Sequence, residues 1–141
     1  MTVTTLTHFI NGQAVPGTSE RTAEGFNPST GAVVTTIPLA NTADVDTAVA
    51  AARAAWPAWS ETPPLKRARI LFKFKALLDE HQDELAALIT REHGKVFSDA
   101  RGEVTRGIEI VEFACGIPHL LKGQYTEQIG GGIDNWSVRQ A

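Results

Sequence analysis

Turn-forming residues divide this sequence into three parts, and that division limits the possible folds more than any other feature. Up to Pro38, short runs rich in Val, Ile and Thr alternate with glycine, proline and asparagine. From Asn41 to Gly123, long stretches have the apolar spacing of amphipathic helices, and after Gly123 the pattern returns to that of strands. The sequence therefore predicts an α/β chain, helix-rich in its middle and flanked by β-hairpins.

The strand-like parts carry specific turn signals. Asn11 and Gly12 stand between apolar residues, a pattern that favours a two-residue hairpin turn. The β-branched run 32–37 predicts a strand closed by Pro38. Near the end, the glycine run 130–132 predicts a flexible turn between two further strands. An isolated hairpin is marginal in water, so this one is expected to pack against another sheet.

The helical middle predicts four helices. Asn41 caps the first, Asp44 lies favourably in its first turn, and Pro57 is expected to end it. The second helix is expected to be capped by Thr62, with Pro63 at its first position, and to run to His81. The apolar side of this second helix is expected to be carried by Leu65, Ala68, Phe72 and Leu78.

The third and fourth helices are bounded by equally local signals. Asp83 opens the third helix and Gly94 stops it. Ser98 is expected to cap the fourth, Pro118 to kink its last turns, and Gly123 to end it. An amphipathic stripe on this fourth helix is formed by Val104, Ile108, Val111 and Cys115.

Composition excludes several classes of protein. The chain has 141 residues, 43% of them hydrophobic and 21% charged, as expected for one soluble globular domain. A net charge of -3, with basic residues interleaved among acids, gives no reason to expect nucleic acid. One cysteine excludes a disulfide framework, and neither a signal peptide nor a membrane span is predicted. We expect a cytoplasmic protein.

Arg106 is the strongest candidate for a binding residue, because it is a cation on a largely apolar helix and needs an anion. Its spacing places it on one face with Glu103 and Glu109, so a local ion pair explains it from spacing alone. A carboxylate-bearing substrate is the alternative, because the planar guanidinium can bind a carboxylate through two parallel hydrogen bonds.

The other candidates favour structural roles. Cys115 occupies an apolar helix position and is interpreted as a core residue, not a nucleophile. The glycine run 130–132 is not followed by a helix, so a turn is favoured over a phosphate site. The remaining residues are interpreted as surface or helix-end histidines (His8, His81, His93, His119) and as core or interface tryptophans (Trp56, Trp59, Trp136).

Nearly the whole chain resembles the N-terminal part of the aldehyde dehydrogenase superfamily. The motifs general to that superfamily are Phe9-Ile10-Asn11-Gly12, Asn27-Pro28-Ser29-Thr30-Gly31, Asp44-Val45-Asp46 and Arg67-Ala68-Arg69-Ile70-Leu71. Motifs similar to the CoA-acylating methylmalonate-semialdehyde dehydrogenase branch are Arg91-Glu92-His93-Gly94-Lys95, Gly102-Glu103-Val104-Thr105-Arg106-Gly107-Ile108-Glu109 and Gly132-Ile133-Asp134-Asn135-Trp136-Ser137. The resemblance implies that Arg106 holds the carboxylate of the substrate.

The resemblance also implies how the chain is organised and what it lacks. Residues 1–123 are expected to begin the NAD-binding domain, and residues 124–141 to begin an oligomerisation hairpin. The catalytic cysteine, the oxyanion asparagine and the NAD-binding residues of the family are expected beyond residue 141. This chain would then contribute no catalytic residue and no cofactor-binding residue, and would bind neither NAD nor CoA alone.

Three functions remain open from the sequence. In the first, the chain is part of a homo-oligomeric enzyme that uses NAD and CoA. This enzyme would convert a small (methyl)malonate semialdehyde to acetyl-CoA or propionyl-CoA with loss of CO2. Alternatively, the chain belongs to an aldehyde dehydrogenase for another acidic semialdehyde, such as succinate semialdehyde. The third reading is a non-catalytic module that oligomerises. Neither nucleic acid nor a membrane is expected as a partner.

Overall fold

The computed structural model describes residues 3–140, in which helices and strands follow the predicted three-part order. The strands are β1 (Thr4–Thr5), β2 (His8–Ile10), β3 (Gln13–Val15), β4 (Thr22–Phe26), β5 (Val33–Pro38), β6 (Tyr125–Gly130) and β7 (Ile133–Trp136). The helices are α1 (Thr42–Ser60), α2 (Pro64–Glu80), α3 (Gln82–His93), α4 (Phe97–Cys115) and α5 (Ile117–Leu120).

These elements belong to two compact units. The first unit comprises the residues up to Glu61 together with Asp83–Gly102. The second comprises Thr62–Gln82 and the residues from Glu103 onward. The boundary falls inside α4, so this helix contributes residues to both units.

A three-stranded sheet in the first unit is centred on β5, which pairs in parallel with β1 and antiparallel with β4. The register shifts between Gly25 and Phe26. Gly25 is required there, because a Cβ at this position would collide with Oγ1 of Thr35 on the central strand.

The β2–β3 hairpin confirms the Asn-Gly turn prediction. The two strands pair antiparallel, with Ile10 opposite Gln13. Asn11 and Gly12 both have positive φ, 53° and 76°. A two-residue turn with two positive φ values matches the right-handed twist of the strands that it joins.

Helix α1 begins as predicted but does not end as predicted. The side chain of Asn41 accepts a hydrogen bond from the backbone N–H of Asp44, and the Asp44 carboxylate accepts one from the N–H of Asn41. The prediction that Pro57 ends the helix was wrong, because α1 continues to Ser60 with Pro57 inside it. Pro57 lacks an N–H, but its carbonyl accepts from the N–H of Glu61 at 3.2 Å, so the last turn still closes.

Helices α2 and α3 lie within a residue or two of their predicted starts. Pro63, rather than Thr62, is the N-cap of α2, and no side chain caps this helix. Gly94 ends α3 as predicted, with φ of 85°. A Cβ added at Gly94 would lie 3.1 Å from Cγ of Pro28, so the closeness of Pro28 also favours glycine here.

The predicted fourth helix is two helices. Its predicted start is two residues late, because Ser98, the expected cap, already lies inside α4, which begins at Phe97. Helix α4 ends at Cys115, and the short helix α5 begins two residues later. Pro118 lies in the first turn of α5, where its missing N–H removes no helical hydrogen bond. It therefore starts a new helix, and the predicted kink in one long helix was wrong.

The β6–β7 hairpin confirms the predicted terminal turn, which is formed by Gly131 and Gly132. The Asp134 carboxylate accepts hydrogen bonds from the Tyr125 hydroxyl at 2.8 Å and from the backbone N–H of Gln128 at 2.9 Å. These bonds hold the pKa of Asp134 below its ordinary value, the Gln128 bond being the larger cause.

The buried apolar core of the described residues is small. Its members are Ala68, Ala86, Ala100, Ile108 and Cys115, and no large side chain is fully buried. On the predicted apolar side of α2, Leu65 and Phe72 are each 58% exposed, whereas Ala68 is buried at 1% exposure. None of the described helices is both long and apolar enough to cross a membrane.

Candidate functional site

Helix α4 has two apolar faces on opposite sides, and Arg106 lies on the exposed one. The predicted stripe faces inward: Ile108 and Cys115 are buried, and Val104 and Val111 are half-buried. At 100° per residue, Arg106, Ile110 and Phe113 lie within a narrow sector on the opposite side. We call these three residues the outward face of α4.

The outward face combines one cation with two large apolar side chains. Ile110 is 69% exposed and Phe113 is 67% exposed, and Arg106 is exposed as well. Side chains on a helix lean towards its N-terminus, so Ile110 covers the turn that carries Arg106. A helix with apolar residues on both sides is suited to burial on both sides.

In the part of the chain that the structure describes, Arg106 does not form the local ion pair that spacing alone suggested. Within residues 3–140, the guanidinium of Arg106 forms neither a hydrogen bond nor an ion pair with Glu103, Glu109 or any other residue. By contrast, Nε of Arg101 on the same helix donates to Oδ1 of Asp83 at 2.8 Å. Within the described part of the chain, the guanidinium of Arg106 is therefore available to bind an anion.

Cys115 occupies the position of a core residue. Its thiol is free and only 6% of the residue is exposed. Burial restricts the access that a nucleophile needs, so the structure agrees with the structural interpretation of this cysteine.

The glycine run and the tryptophans do not form a ligand site in the described residues. Gly131 and Gly132 form the hairpin turn, with Gly130 as the last residue of β6. A strand follows them, so the helix N-terminus of a dinucleotide cradle is missing here. Trp56, Trp59 and Trp136 are 48%, 45% and 68% exposed, which excludes a core role within this chain and leaves the interface interpretation.

The histidines do not form a metal centre. Among the described residues, no group of three His, Cys, Asp or Glu side chains could hold a metal ion. One of them was misjudged: His8 is half-buried, and its Nε2 lies 3.9 Å from Oδ2 of Asp44. No local sequence pattern predicts this contact, because His8 and Asp44 lie on different elements far apart in the sequence.

Comparison with known proteins gives one consistent result. The family model described as "Aldehyde dehydrogenase family" matches residues 15–141. The malonate-semialdehyde dehydrogenase of Pseudomonas aeruginosa is 50% identical over 133 residues, which are 94% of this chain and 27% of that protein.

Solved structures agree with the sequence comparison. The methylmalonate-semialdehyde dehydrogenase from Oceanimonas doudoroffii superimposes with a TM-score of 0.90 at 51% identity, covering 98% of this chain and 28% of that one. An NAD-dependent aldehyde dehydrogenase from Sinorhizobium meliloti superimposes with a TM-score of 0.80 at 34% identity, covering 92% of this chain and 26% of that one. The chain thus spans between a quarter and a third of the length of these relatives.

Proposed function

The chain belongs to the aldehyde dehydrogenase family, and from that premise we propose that it is the N-terminal part of an NAD- and CoA-dependent malonate- or methylmalonate-semialdehyde dehydrogenase. In this proposal, residues 1–123 begin the NAD-binding domain and residues 124–141 begin an oligomerisation hairpin. The complete enzyme, a cytoplasmic homo-oligomer, would release CO2 and form acetyl-CoA or propionyl-CoA.

The observation that carries the proposal is the open guanidinium of Arg106 on the outward face of α4. A semialdehyde of this class carries a carboxylate at one end and an aldehyde at the other. Arg106 would hold the carboxylate through two parallel hydrogen bonds. Ile110 and Phe113 would exclude water beside this contact, because both are apolar and lie on the same face.

The glycine run 130–132 does not fit the pyrophosphate of NAD or CoA. This run ends strand β6 and forms the turn of a hairpin, and no helix begins between it and residue 140. The proposal therefore assigns the cofactor-binding and catalytic residues to parts of the complete enzyme outside this chain. It assigns only Arg106 here, as a substrate-binding residue.

A chimaera tests the proposal directly. The 141 residues of this chain would be joined to the remaining residues of the Pseudomonas aeruginosa relative, whose unaltered form serves as the reference. We expect CoA-dependent NADH formation from malonate semialdehyde within about tenfold of the reference, since ~1.4 kcal/mol of lost transition-state stabilisation is a factor of ten. The chain alone should form no NADH above background.

The two alternatives give different results in this experiment. A folded chimaera that oxidises succinate semialdehyde in preference to malonate semialdehyde would support an enzyme for another acidic aldehyde. A folded chimaera that is inactive on both substrates would contradict the proposal and support the non-catalytic module. Circular dichroism and light scattering distinguish a folded inactive protein from a misfolded one.

A further inference from the structure

Asp44 is the centre of a polar cluster in the first unit. It is only 7% exposed, and its Oδ1 accepts hydrogen bonds from the backbone N–H of Thr18 at 3.1 Å and from the Thr18 hydroxyl at 2.8 Å. Its Oδ2 accepts from the N–H of Asn41 at 3.1 Å. These bonds, with that from Asn41 first, hold the pKa of Asp44 below its ordinary value.

His8, on strand β2, faces this carboxylate without a hydrogen bond. Its Nε2 lies 3.9 Å from Oδ2 of Asp44, a distance too long for a hydrogen bond but within the range of an ion pair. The same nitrogen is buried and has no hydrogen-bond partner. Gly17 lies against it, since a Cβ there would stand 3.1 Å from Nε2.

Among the described residues, the β2–β3 hairpin pairs with no further strand. Its two strands form a sheet of their own, and a two-stranded hairpin is marginally stable alone. Phe9 is 78% exposed, and an open groove of about 230 Å³ lies between the hairpin and the start of α1. Side chains that line an open groove lack apolar partners on one side, so a polar contact has more influence on whether the hairpin stays docked.

We propose that His8 and Asp44 form a pH-dependent clasp that fastens the β2–β3 hairpin to the first turn of α1. Protonation of the imidazole turns the buried Nε2 into a charged donor that faces a carboxylate. A neutral imidazole gains no such attraction at this distance. The hairpin is therefore held more firmly in mildly acidic solution than in mildly alkaline solution.

The neighbours of His8 leave Asp44 as its counter-charge. Val15 lies opposite it in β3, and Gly17 lies beside it together with Pro38 at the end of β5. The residues that line the adjoining groove are His8, Phe9, Ile10, Ala40, Asp44, Val45 and Ala48. Among all these neighbours, only Asp44 can titrate, and its hydrogen bonds keep it ionised while the imidazole becomes protonated.

The direction of the pH effect follows from linkage. A histidine that gains a carboxylate partner on protonation adds stability at low pH, and the contribution is lost as the pH rises through its titration. The test therefore compares mildly acidic with mildly alkaline solution. Asp44 remains charged throughout this range.

Hydrogen exchange of the intact chain tests the clasp. We expect protection factors of the β2 and β3 amides to rise roughly threefold from about pH 7.5 to about pH 5.5, as for a modest ion pair. The β6 and β7 amides serve as an internal reference and should not change. The His8→Gln variant should lose the rise, and the matched control His119→Gln should keep it.

A second measurement does not depend on amide assignments. Chymotrypsin cleavage after Phe9, relative to cleavage after Tyr125 in the same sample, should slow roughly threefold over the same pH interval. Asp44→Asn, which keeps a side-chain acceptor but removes the charge, should abolish the slowing. The clasp would be overturned if cleavage after Phe9 slowed as much in His8→Gln as in the unaltered chain. It would also be overturned if cleavage did not slow in the unaltered chain.

Discussion

In the second half of the chain, some basic side chains are paired with carboxylates, and Arg106 is not paired within the described residues. Lys75 donates to Asp79 at 2.8 Å and lies 3.6 Å from Glu112, and the Asp79 hydrogen bond is the first cause of its raised pKa. Arg101 is held by Asp83. Arg106 has no such partner in the described residues, so its substitution should affect binding more than folding.

Replacing Arg106 should therefore impair the chimaera selectively. A charge-assisted hydrogen-bonded pair with a substrate carboxylate contributes about 1.5–3 kcal/mol, so Arg106→Ala should lower kcat/KM for malonate semialdehyde roughly ten- to a hundredfold. Arg106→Lys should restore part of the activity, because an ammonium cannot form the two parallel bonds. Steady-state kinetics on malonate semialdehyde and on propionaldehyde, which has no carboxylate, measure the selectivity.

A matched exposed arginine provides the control for this experiment. Arg53 is an exposed residue of α1, and Arg53→Ala should leave both substrates unaffected. An equal loss of activity on both aldehydes in Arg106→Ala would rule out the carboxylate contact and favour a structural role.

Cys115 should matter for stability and not for chemistry. It is buried on the inward face of α4, so Cys115→Ser places a hydroxyl in an apolar site at a cost of roughly 1–3 kcal/mol. Cys115→Ala should cost less, because it adds no polar group. Urea denaturation of the chimaera measures the first effect, while its kcat should stay within about twofold for both variants, under ~0.5 kcal/mol. A loss of turnover without a loss of stability would reopen the nucleophile interpretation.

At the level of elements, the start of α1 should respond to acid. Because the pKa of Asp44 is lowered in the folded chain, its carboxylate contributes stability above the unfolded pKa of 3.8 and loses it as the pH falls through the lower folded value. Asp44→Asn should therefore lower the urea midpoint at about pH 6 and have much less effect at about pH 2.5. Asp46→Asn, an exposed neighbour on the same helix, should follow the unaltered chain at both values.

The two turn glycines of the β6–β7 hairpin offer a matched pair. A Cβ on Gly131 or on Gly132 would meet nothing within 4 Å, but only Gly132 has a positive φ, 75°. Gly132→Ala should therefore destabilise the hairpin by roughly 1–2 kcal/mol, the cost of left-handed backbone for a residue with a Cβ. Gly131→Ala should be close to neutral. Hydrogen exchange of the β6 and β7 amides measures the destabilisation caused by each variant. Equal destabilisation by the two variants would mean that the positive φ of Gly132 is not the cause.

Elements were predictable where a local signal fixes the backbone. The Asn11-Gly12 turn and the Asn41–Asp44 capping box confirm this, since both depend on residues within one turn of each other. Pro57 was misread because a proline removes one hydrogen bond without preventing the following turn from closing. The His8–Asp44 contact could not be predicted, because only the tertiary fold brings the two residues together.

At the scale of the whole molecule, exposed apolar residues outweigh the buried core. Within residues 3–140 only five apolar residues are buried, all of them small or medium in size except Ile108. Phe9, Phe72, Ile110, Phe113 and Trp136 are each more than half exposed. Exposed apolar area of this kind drives association.

The isolated chain should therefore form a dimer or a larger oligomer at micromolar concentration. Size-exclusion chromatography with light scattering measures its mass directly. Replacing both Ile110 and Phe113 by Asp should lower the measured mass if the outward face of α4 takes part, since a charge is costly to bury unpaired. A monomeric mass for the unaltered chain at these concentrations would contradict the prediction.

The same outward face of α4 has a consequence for the life of this polypeptide in a cell. Chaperones and proteases sort proteins by the apolar segments that they expose, and Ile110 and Phe113 display such a segment even when the chain is fully folded. Copies without a covering surface would be bound or degraded through these exposed residues. The steady-state amount of the chain would then depend on how quickly that surface is supplied as well as on its rate of synthesis.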